Sequence, residues 1–314
     1  MICRERIVMC GVLLLFSLPV IAGEPARKTK SEPAKSTLRV AVISPRCVFG
    51  DVAANLDHFA SLTERAAAKG ARLVCFPELA LVSYSTDPAV LKSAEKIPGP
   101  ATKKLEAIAR RYKVYISVGM AERAKDRYYI AQILVGPTGY LGKYRKFAAT
   151  GAERKCGFSR GKAFPTWDID GFRFGILICA DGRVPSTIQA MKKAKVDVIH
   201  HPHGNFVGHL GREAEEWTRS KTVYFVPRAV FARAHIIINN SAEDTKQPRY
   251  TNRYSSGAVV IDPLGQVVGR TDTADRKEKR ILTTLRKPED LIPTFELQQL
   301  RRADSIFKDR FKAN

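Results

Sequence analysis

The chain has little cysteine, few acids and almost no long apolar sequence, and each shortage closes off a class of protein. Only six of its 314 residues are Cys, and Cys3 and Cys10 fall in the first 22, leaving Cys47, Cys75, Cys156 and Cys179 for the rest. That density excludes a disulfide-built scaffold. If Cys179 is a free thiol, an odd three remain, so at least one more is free or paired between chains. One apolar stretch, Ile7 to Ile21, approaches membrane length, but it is shorter than the ~20 residues a spanning helix needs. No second stretch of that length follows, which excludes a protein of many membrane spans. Acids number 31 against 53 Lys and Arg, giving a formal charge of +22. The basic residues are scattered, and no aromatic-interleaved basic motif marks a base-stacking surface, so nucleic acid is not an expected partner. A surface of this sign favours weak association with anionic envelope surfaces.

The N-terminal 22 residues have the form of a signal peptide: Arg4 and Arg6, then the apolar stretch, then Val20-Ile21-Ala22 before a cleavage point. Export to the periplasm or outside the cell is expected, with an uncleaved membrane anchor as the alternative. Losing Arg4, Arg6 and Glu5 lowers the charge by one, to +21. Residues 23–37, rich in Lys, Pro and Ser, read as a flexible leader.

From there, strands alternate with helices. Leu38 to Ile43 reads as a strand, and Val52, Leu56, Phe59, Leu62 and Ala66 form the apolar stripe of a helix over 51–69 that Gly70 ends. Strand Arg72–Phe76, helix Thr102–Tyr112 and strand Val114–Met120 follow, then a hairpin of Tyr129–Val135 and Tyr140–Lys146 around Gly136-Pro137-Thr138-Gly139. The second half repeats the alternation: strand Phe172–Cys179, helix Pro185–Lys193, strand Val196–His200, helix Glu213–Lys221, strand Ile236–Asn239, and a hairpin turning at Asp262-Pro263-Leu264-Gly265. This order predicts an α/β fold with mixed sheets covered by helices. No Pro- or Gly-rich break divides it, so one domain over 38–292 is expected, with 293–314 as a C-terminal tail.

Three of these strand ends deliver reactive groups: Glu78 after Phe76-Pro77, Lys146 after Gly142-Lys143-Tyr144-Arg145, and Cys179 in Ile178-Cys179-Ala180-Asp181-Gly182-Arg183-Val184-Pro185. A carboxylate, an ammonium and a thiol are the parts needed for nucleophilic attack on a carbonyl-type carbon. The strand-to-helix elbow at Cys179 is expected to favour thiolate. Cys75, inside an apolar strand, reads as packing.

Phe-Pro-Glu-Leu, Gly-Lys-Tyr-Arg-Lys and Ile-Cys-x-Asp-x-Arg-x-Pro, in this order and spacing, resemble the nitrilase superfamily of carbon–nitrogen hydrolases. The similarity runs from Leu38 to Lys287 and includes Glu153, seven residues after Lys146, Arg228-Ala229 ahead of Asn240, and the turn at 262–265. It implies a nitrilase-like αββα sandwich and hydrolysis of a non-peptide C–N bond without metal or cofactor. It further implies Glu78 as base, Lys146 and the Ala180 amide as oxyanion donors, Cys179 as nucleophile and Glu153 in a supporting role. A homodimer or higher homo-oligomer is implied as well. The chain departs from the family pattern at Ala148, Ala180, Val184-Pro185-Ser186 and Val230-Phe231-Ala232. These positions bear on the substrate branch and on subunit contacts rather than on the reacting groups.

The resemblance implies that Arg183, four residues past Cys179, sits where some branches of the superfamily bind a substrate carboxylate, a task a planar guanidinium suits, which makes an acid-bearing amide or N-carbamoyl compound the expected small-molecule substrate. His203 and Asn205, in Ile199-His200-His201-Pro202-His203-Gly204-Asn205-Phe206, are expected to line the pocket. No Cys or carboxylate completes a metal-ligand spacing with these imidazoles, so no metal site is expected. Nitrile hydrolysis, acyl transfer through the same thioester, and a basic envelope-binding protein with an idle site stay open as alternatives.

Overall fold

Strand β1 (Thr37–Ser44) buries side chains on both of its faces, as a strand covered on each side must. Val40 and Val42 belong to one apolar cluster, and the alternate residues Ala41 and Ile43 to another. That division sets the layers of the molecule. The computed structural model describes residues 37–206, 214–242, 244–271 and 277–291. The expected signal peptide, nearly all of the leader and the 293–314 tail lie outside the described residues.

Helix α1 (Val52–Ala67) starts where Asp51 Oδ1 accepts the Ala54 amide at 2.9 Å, and it lays Leu56, Phe59, Leu62 and Ala66 on the sheet. Next come β2 (Leu73–Cys75), α2 (Pro100–Tyr112), β3 (Tyr115–Ala124), β4 (Arg127–Gly136), β5 (Gly139–Arg145), the short α3 (Gly151–Cys156) and β6 (Phe158–Ser159). The second half holds β7 (Thr166–Ile169), β8 (Phe172–Ile176), α4 (Pro185–Lys193), β9 (Val198–Pro202), α5 (Ala214–Ala232), β10 (His235–Asn239), β11 (Asp244–Lys246), β12 (Thr251–Arg253), β13 (Ala258–Ile261), β14 (Val267–Arg270), β15 (Lys279–Arg286) and α6 (Pro288–Leu291).

One mixed sheet runs β15-β1-β2-β3-β4-β5, with β6 beside β4, and the other runs β14-β13-β10-β9-β8-β7. Helices α1 and α2 cover the first sheet through Ala41, Ile43, Val74, Phe76 and Ile116. The opposite face of that sheet meets the second sheet in a common core holding Val40, Leu73, Phe174, Ile176, Ile237 and Val259. A polar ladder crosses this apolar layer. Ser117 Oγ meets His200 Nδ1 at 2.8 Å, His200 Nε2 meets Asn239 Oδ1 at 3.1 Å, and Asn239 Nδ2 donates to the carbonyls of Ile43 (2.8 Å) and Cys75 (3.0 Å). Every bond joins two strands, so the ladder fixes the register of one sheet on the other.

Four differences from the sequence reading matter. The strand expected to end at Cys179 stops at Ile176. Strand β9 runs past His200 through His201 to Pro202, because all five of its residues are buried. Helix α5 continues eleven residues beyond Lys221, through Pro227, to Ala232. Strand β15, not expected, pairs antiparallel with the whole of β1 and closes one edge of the first sheet.

Candidate active site

Glu78 owes its position to a tight passage of backbone. After β2 the chain turns through Pro77 and Glu78 into Leu79, which holds a left-handed φ of 51°. The turn lies directly against β3, where the Gly119 amide donates to the Pro77 carbonyl at 3.1 Å. A Cβ on Gly119 would stand 2.2 Å from the Leu79 nitrogen, so only glycine lets the two segments meet. Gln132 Nε2 adds a bond to the Phe76 carbonyl at 3.0 Å.

Lys146 lies one residue past β5. Its amide donates to the Ile130 carbonyl (2.9 Å) and its carbonyl accepts from the Gly161 amide (2.7 Å), so its backbone is held on both sides. Its Nζ donates to Glu78 Oε1 at 2.7 Å and to Glu153 Oε1 at 2.6 Å. All three side chains are completely buried. Glu153 stands in the first turn of α3 in a reciprocal cap: its Oε2 accepts the Thr150 amide at 2.8 Å while Thr150 Oγ1 accepts the Glu153 amide at 3.3 Å. Tyr84 also donates to Glu153 Oε1, at 2.8 Å.

Cys179 does not end a strand. It opens a short 3₁₀ turn, Cys179–Arg183, with a φ of 45°. That conformation costs a non-glycine residue about 1–3 kcal/mol and persists only where its surroundings hold it. Asp181 does so: Oδ2 accepts from the Ile178 amide (2.8 Å) and Tyr144 OH (2.7 Å), and Oδ1 accepts from the Ala148 amide (2.6 Å). The residue after the lysine segment and the residue before the thiol are thereby tied to one carboxylate. Ala180, inside the turn, is buried.

Burial pushes the Glu78 carboxyl up to about 7; Lys146 opposes this, and the Glu153 charge adds to it. Glu78 Oε2 is buried and has no hydrogen-bond partner. Burial alone would lower the Lys146 ammonium, but Glu78, Cys179 and Glu153 together hold it above the ordinary lysine range, so it stays charged. Burial raises the Cys179 thiol to about 11; the Glu78 charge raises it further, and Lys146 and Lys221 pull against both. The expected thiolate is therefore corrected: desolvation and the neighbouring carboxylate outweigh the turn and the lysines, and the resting group is the thiol.

Cys179 opens on a cavity of about 200 Å³ bounded by Arg183, His203, Ser220, Lys221, Tyr224 and Phe225. Arg183 is exposed on its wall. His203 Nδ1 and Trp217 Nε1 both contact Asn205 Oδ1, at 2.9 and 3.0 Å. An indole N–H only donates, so Oδ1 is the amide oxygen, and Nδ2 is left facing Cys179 Sγ at 3.8 Å. The same assignment makes His203 Nδ1 a donor and its Nε2 the acceptor from His201 Nδ1 at 2.9 Å. Burial lowers His200 to about 4 and holds His201 and His203 well below their ordinary range, so all three are neutral near pH 7. Among the described residues no group of His, Cys, Asp or Glu is arranged to hold a metal.

The structure thus gathers Glu78, Lys146 and Glu153 in direct contact, and places Cys179, Arg183 and His203 on one cavity with Asn205 against the thiol. Sequence reasoning missed Tyr84, Tyr144, Trp217, Lys221, Tyr224 and Phe225. The last two lie beyond Lys221, where the helix was expected to end, and the apolar sequence after Lys221 was the available signal. Nothing in the local sequence marks Tyr84 or Tyr144.

Comparison with known proteins identifies the family. The carbon-nitrogen hydrolase family model matches residues 39–295, and the chain belongs to that family. It is 32% identical over 266 residues to the bifunctional nitrilase/nitrile hydratase NIT4B of Nicotiana tabacum, covering 74% of each chain. It is 30% identical over 208 residues to the corresponding NIT4 enzyme of Oryza sativa, covering 59% of this chain and 58% of that one. Among solved structures, an amidase from Nesterenkonia sp. AN1 in complex with acrylamide superimposes with a TM-score of 0.70 at 20% identity, covering 88% of this chain and 99% of that one. Another form of that amidase shows covalent addition of the acetamide moiety of fluoroacetamide at its active-site cysteine, at a TM-score of 0.69. These neighbours share the αββα sandwich.

Proposed function

We propose that the protein is an exported amidase that hydrolyses a carboxylate-bearing amide or N-carbamoyl compound through a thioester on Cys179. The observation that carries the reading is the unpartnered Glu78 Oε2: one oxygen of a fully buried carboxylate is held by Lys146, and the other is left without a donor, while the carboxylate charge acts on the Cys179 thiol. A buried acceptor left open costs about 1–3 kcal/mol, a cost that a base waiting for a proton explains.

In this scheme Glu78 takes the Cys179 proton as sulfur attacks the carbonyl carbon. Lys146 and the Ala180 amide hold the oxyanion, with a donor of this kind contributing about 3 kcal/mol. The intermediate collapses, the C–N bond breaks, and the nitrogen leaves as ammonia or an amine with the proton from Glu78. Water then gives a proton to Glu78 and attacks the thioester; the acid departs and the sulfur is reprotonated. Glu153, fixed by Tyr84 and Thr150, positions Lys146 between the two carboxylates. Arg183 and Lys221, two cations on one cavity wall, support the carboxylate on the substrate.

The nitrilase names of its relatives favour a second reading on the same groups, with a nitrile adding to Cys179 as a thioimidate. Intact-mass spectrometry after incubation with paired charged and uncharged amides, N-carbamoyl compounds and nitriles separates the readings. An acyl adduct on Cys179 from carboxylate-bearing amides is expected, absent in Cys179→Ala. Adducts from nitriles alone transfer the assignment, and none from any compound ends it.

We infer as well that the protein forms homo-oligomers through α5. Its inner residues Phe225, Ala229 and Ala232 are buried, yet Val223, Tyr224, Val230 and Phe231 are exposed on the outer side, the second pair seven residues after the first and so on the same face. A helix segment that carries apolar residues on its outer side as well as its inner one asks for cover on both, and a second copy of the same face supplies it.

A further inference from the structure

A hollow of about 320 Å³ that shares no lining residue with the Cys179 cavity lies alongside β5, bounded by Tyr129, Lys143, Arg145, Arg160, Gly161 and Lys162. We propose that it is a binding site for a phosphoryl group, carried by a small molecule or by a lipid headgroup. Four cations face this hollow, and among the described residues one carboxylate engages them and is already committed. Glu122, buried beneath, accepts from Lys143 Nζ at 2.6 Å on Oε1, from Arg145 Nη2 at 2.6 Å on Oε1, and from Arg145 Nε at 2.7 Å on Oε2. Three positive charges are left over.

Two of the four cations, Lys143 and Arg145, are held in place by partners. The Arg145 guanidinium is clamped along one edge by Glu122 and lies over the Tyr129 ring with its carbon 4.0 Å from the centroid, which fixes its plane and leaves Nη1 uncommitted. Lys143 Nζ is tied as well to the Ile97 carbonyl at 2.8 Å. Arg160 and Lys162 are exposed and have no ion pair among the described residues. The glycine between them is pressed against β5: a Cβ on Gly161 would fall 2.1 Å from the Arg145 carbonyl oxygen. That close approach brings both flanking cations to the hollow.

Gathering unpaired like charges around a concavity is unfavourable in the free protein, and a multiply charged oxyanion relieves it. A phosphoryl group presents several oxygens to a guanidinium edge and two ammonium groups at once, which a single carboxylate cannot match. The hollow exceeds the size of the oxyanion alone, leaving room for the group that carries it.

The test compares the wild-type protein, an Arg160→Ala/Lys162→Ala variant, and a Lys103→Ala/Lys104→Ala variant that loses the same charge from the exposed side of α2. Isothermal titration with inorganic phosphate and with pyrophosphate, at about 0.15 M salt, reads the free-anion source. Co-sedimentation with phosphatidylglycerol vesicles, against phosphatidylcholine vesicles, reads the headgroup source. Saturable binding in at least one arm is expected, weakened tenfold or more in the 160/162 variant and kept in the 103/104 variant. Equal weakening in both variants would assign the effect to net charge, and no saturable binding in either arm would remove the site; both outcomes overturn the proposal. Neither readout depends on amidase activity.

Discussion

Replacing Glu153 by Gln tests whether the buried charges behave as one unit. Glu78 Oε1 and Glu153 Oε1 touch the same Lys146 Nζ, at 2.7 and 2.6 Å, so they are separated by at most the sum of those distances, about 5.3 Å. At an effective dielectric of about 20, repulsion between two such charges is worth about 3 kcal/mol, or roughly two pH units. Half of that survives even generous shielding by Lys146. Removing the Glu153 charge therefore lowers the Glu78 carboxyl, which now stands at about 7. Since Glu78 must be ionised to accept the thiol proton, the acid limb of kcat/KM against pH is expected to move down by at least about one unit. The plateau falls at the same time. A Gln at 153 cannot accept from Lys146, Tyr84 and the Thr150 amide together, so Lys146 loses its fixed position, and a displaced oxyanion donor costs about 10²–10³ in kcat. The assay is a kcat/KM profile on whichever amide acylates Cys179, run with thermal unfolding to confirm the fold. An acid limb that stays in place or moves to higher pH would refute the coupling.

Other consequences are open to measurement. Asp181→Asn puts an amide nitrogen where a carboxylate accepts three donors, so a loss of about 1–3 kcal/mol is expected, read as a lower melting temperature; an unchanged melting point would show the elbow is held otherwise. Because His200 falls to about 4 when folded against 6.5 when unfolded, its contribution is complete above pH 6.5 and is lost as pH falls toward 4, a loss of about 3 kcal/mol. Glu78 and Asp181, both raised by burial, act in the opposite direction, but four lowered histidines outweigh two raised acids, so urea unfolding midpoints should fall between pH 7 and 4.5. Val223→Asp with Phe231→Asp should shift the protein to monomer in light scattering, whereas an unchanged mass would remove α5 from the interface.

Much of the fold was legible because its strands and helices obey their two periods: the α1 stripe, the hairpin of β4 and β5, and α4 from Pro185 to Lys193 all stand where the sequence puts them. What was lost has physical reasons. Strand β15 reads as Lys-Arg-Ile-Leu-Thr-Thr-Leu-Arg, too polar to announce a strand, and it is made one by the backbone of β1. Helix α5 has no polar face to mark its continuation past Lys221. Within the site, Glu78 and Cys179 could be chosen because each follows an apolar sequence, and Lys146 because it ends a hairpin strand. Tyr84 and Tyr144 could not, since they act through contacts 69 and 37 residues away in the chain.

The charge balance of the site carries one more consequence, and it runs against simple expectation. Cys179 at about 11 leaves only about one molecule in ten thousand as thiolate at pH 7. Thiolate is the form that oxidants and alkylating agents attack, so a site of this design keeps its nucleophile protonated until a substrate carbonyl is in place. Part of that protection comes from the charge on Glu78, the second cause of the raised thiol after burial. Glu78→Gln should therefore abolish turnover while lowering the Cys179 pKa, and iodoacetamide should label the inactive variant faster than the active enzyme at neutral pH, with the ratio of rates shrinking as pH rises toward 11. Intact-mass time courses across pH measure both limbs. Slower labelling of the variant at every pH would mean that Glu78 activates the thiol even without a substrate, and the site would then be a standing thiolate pair rather than a thiol held in reserve.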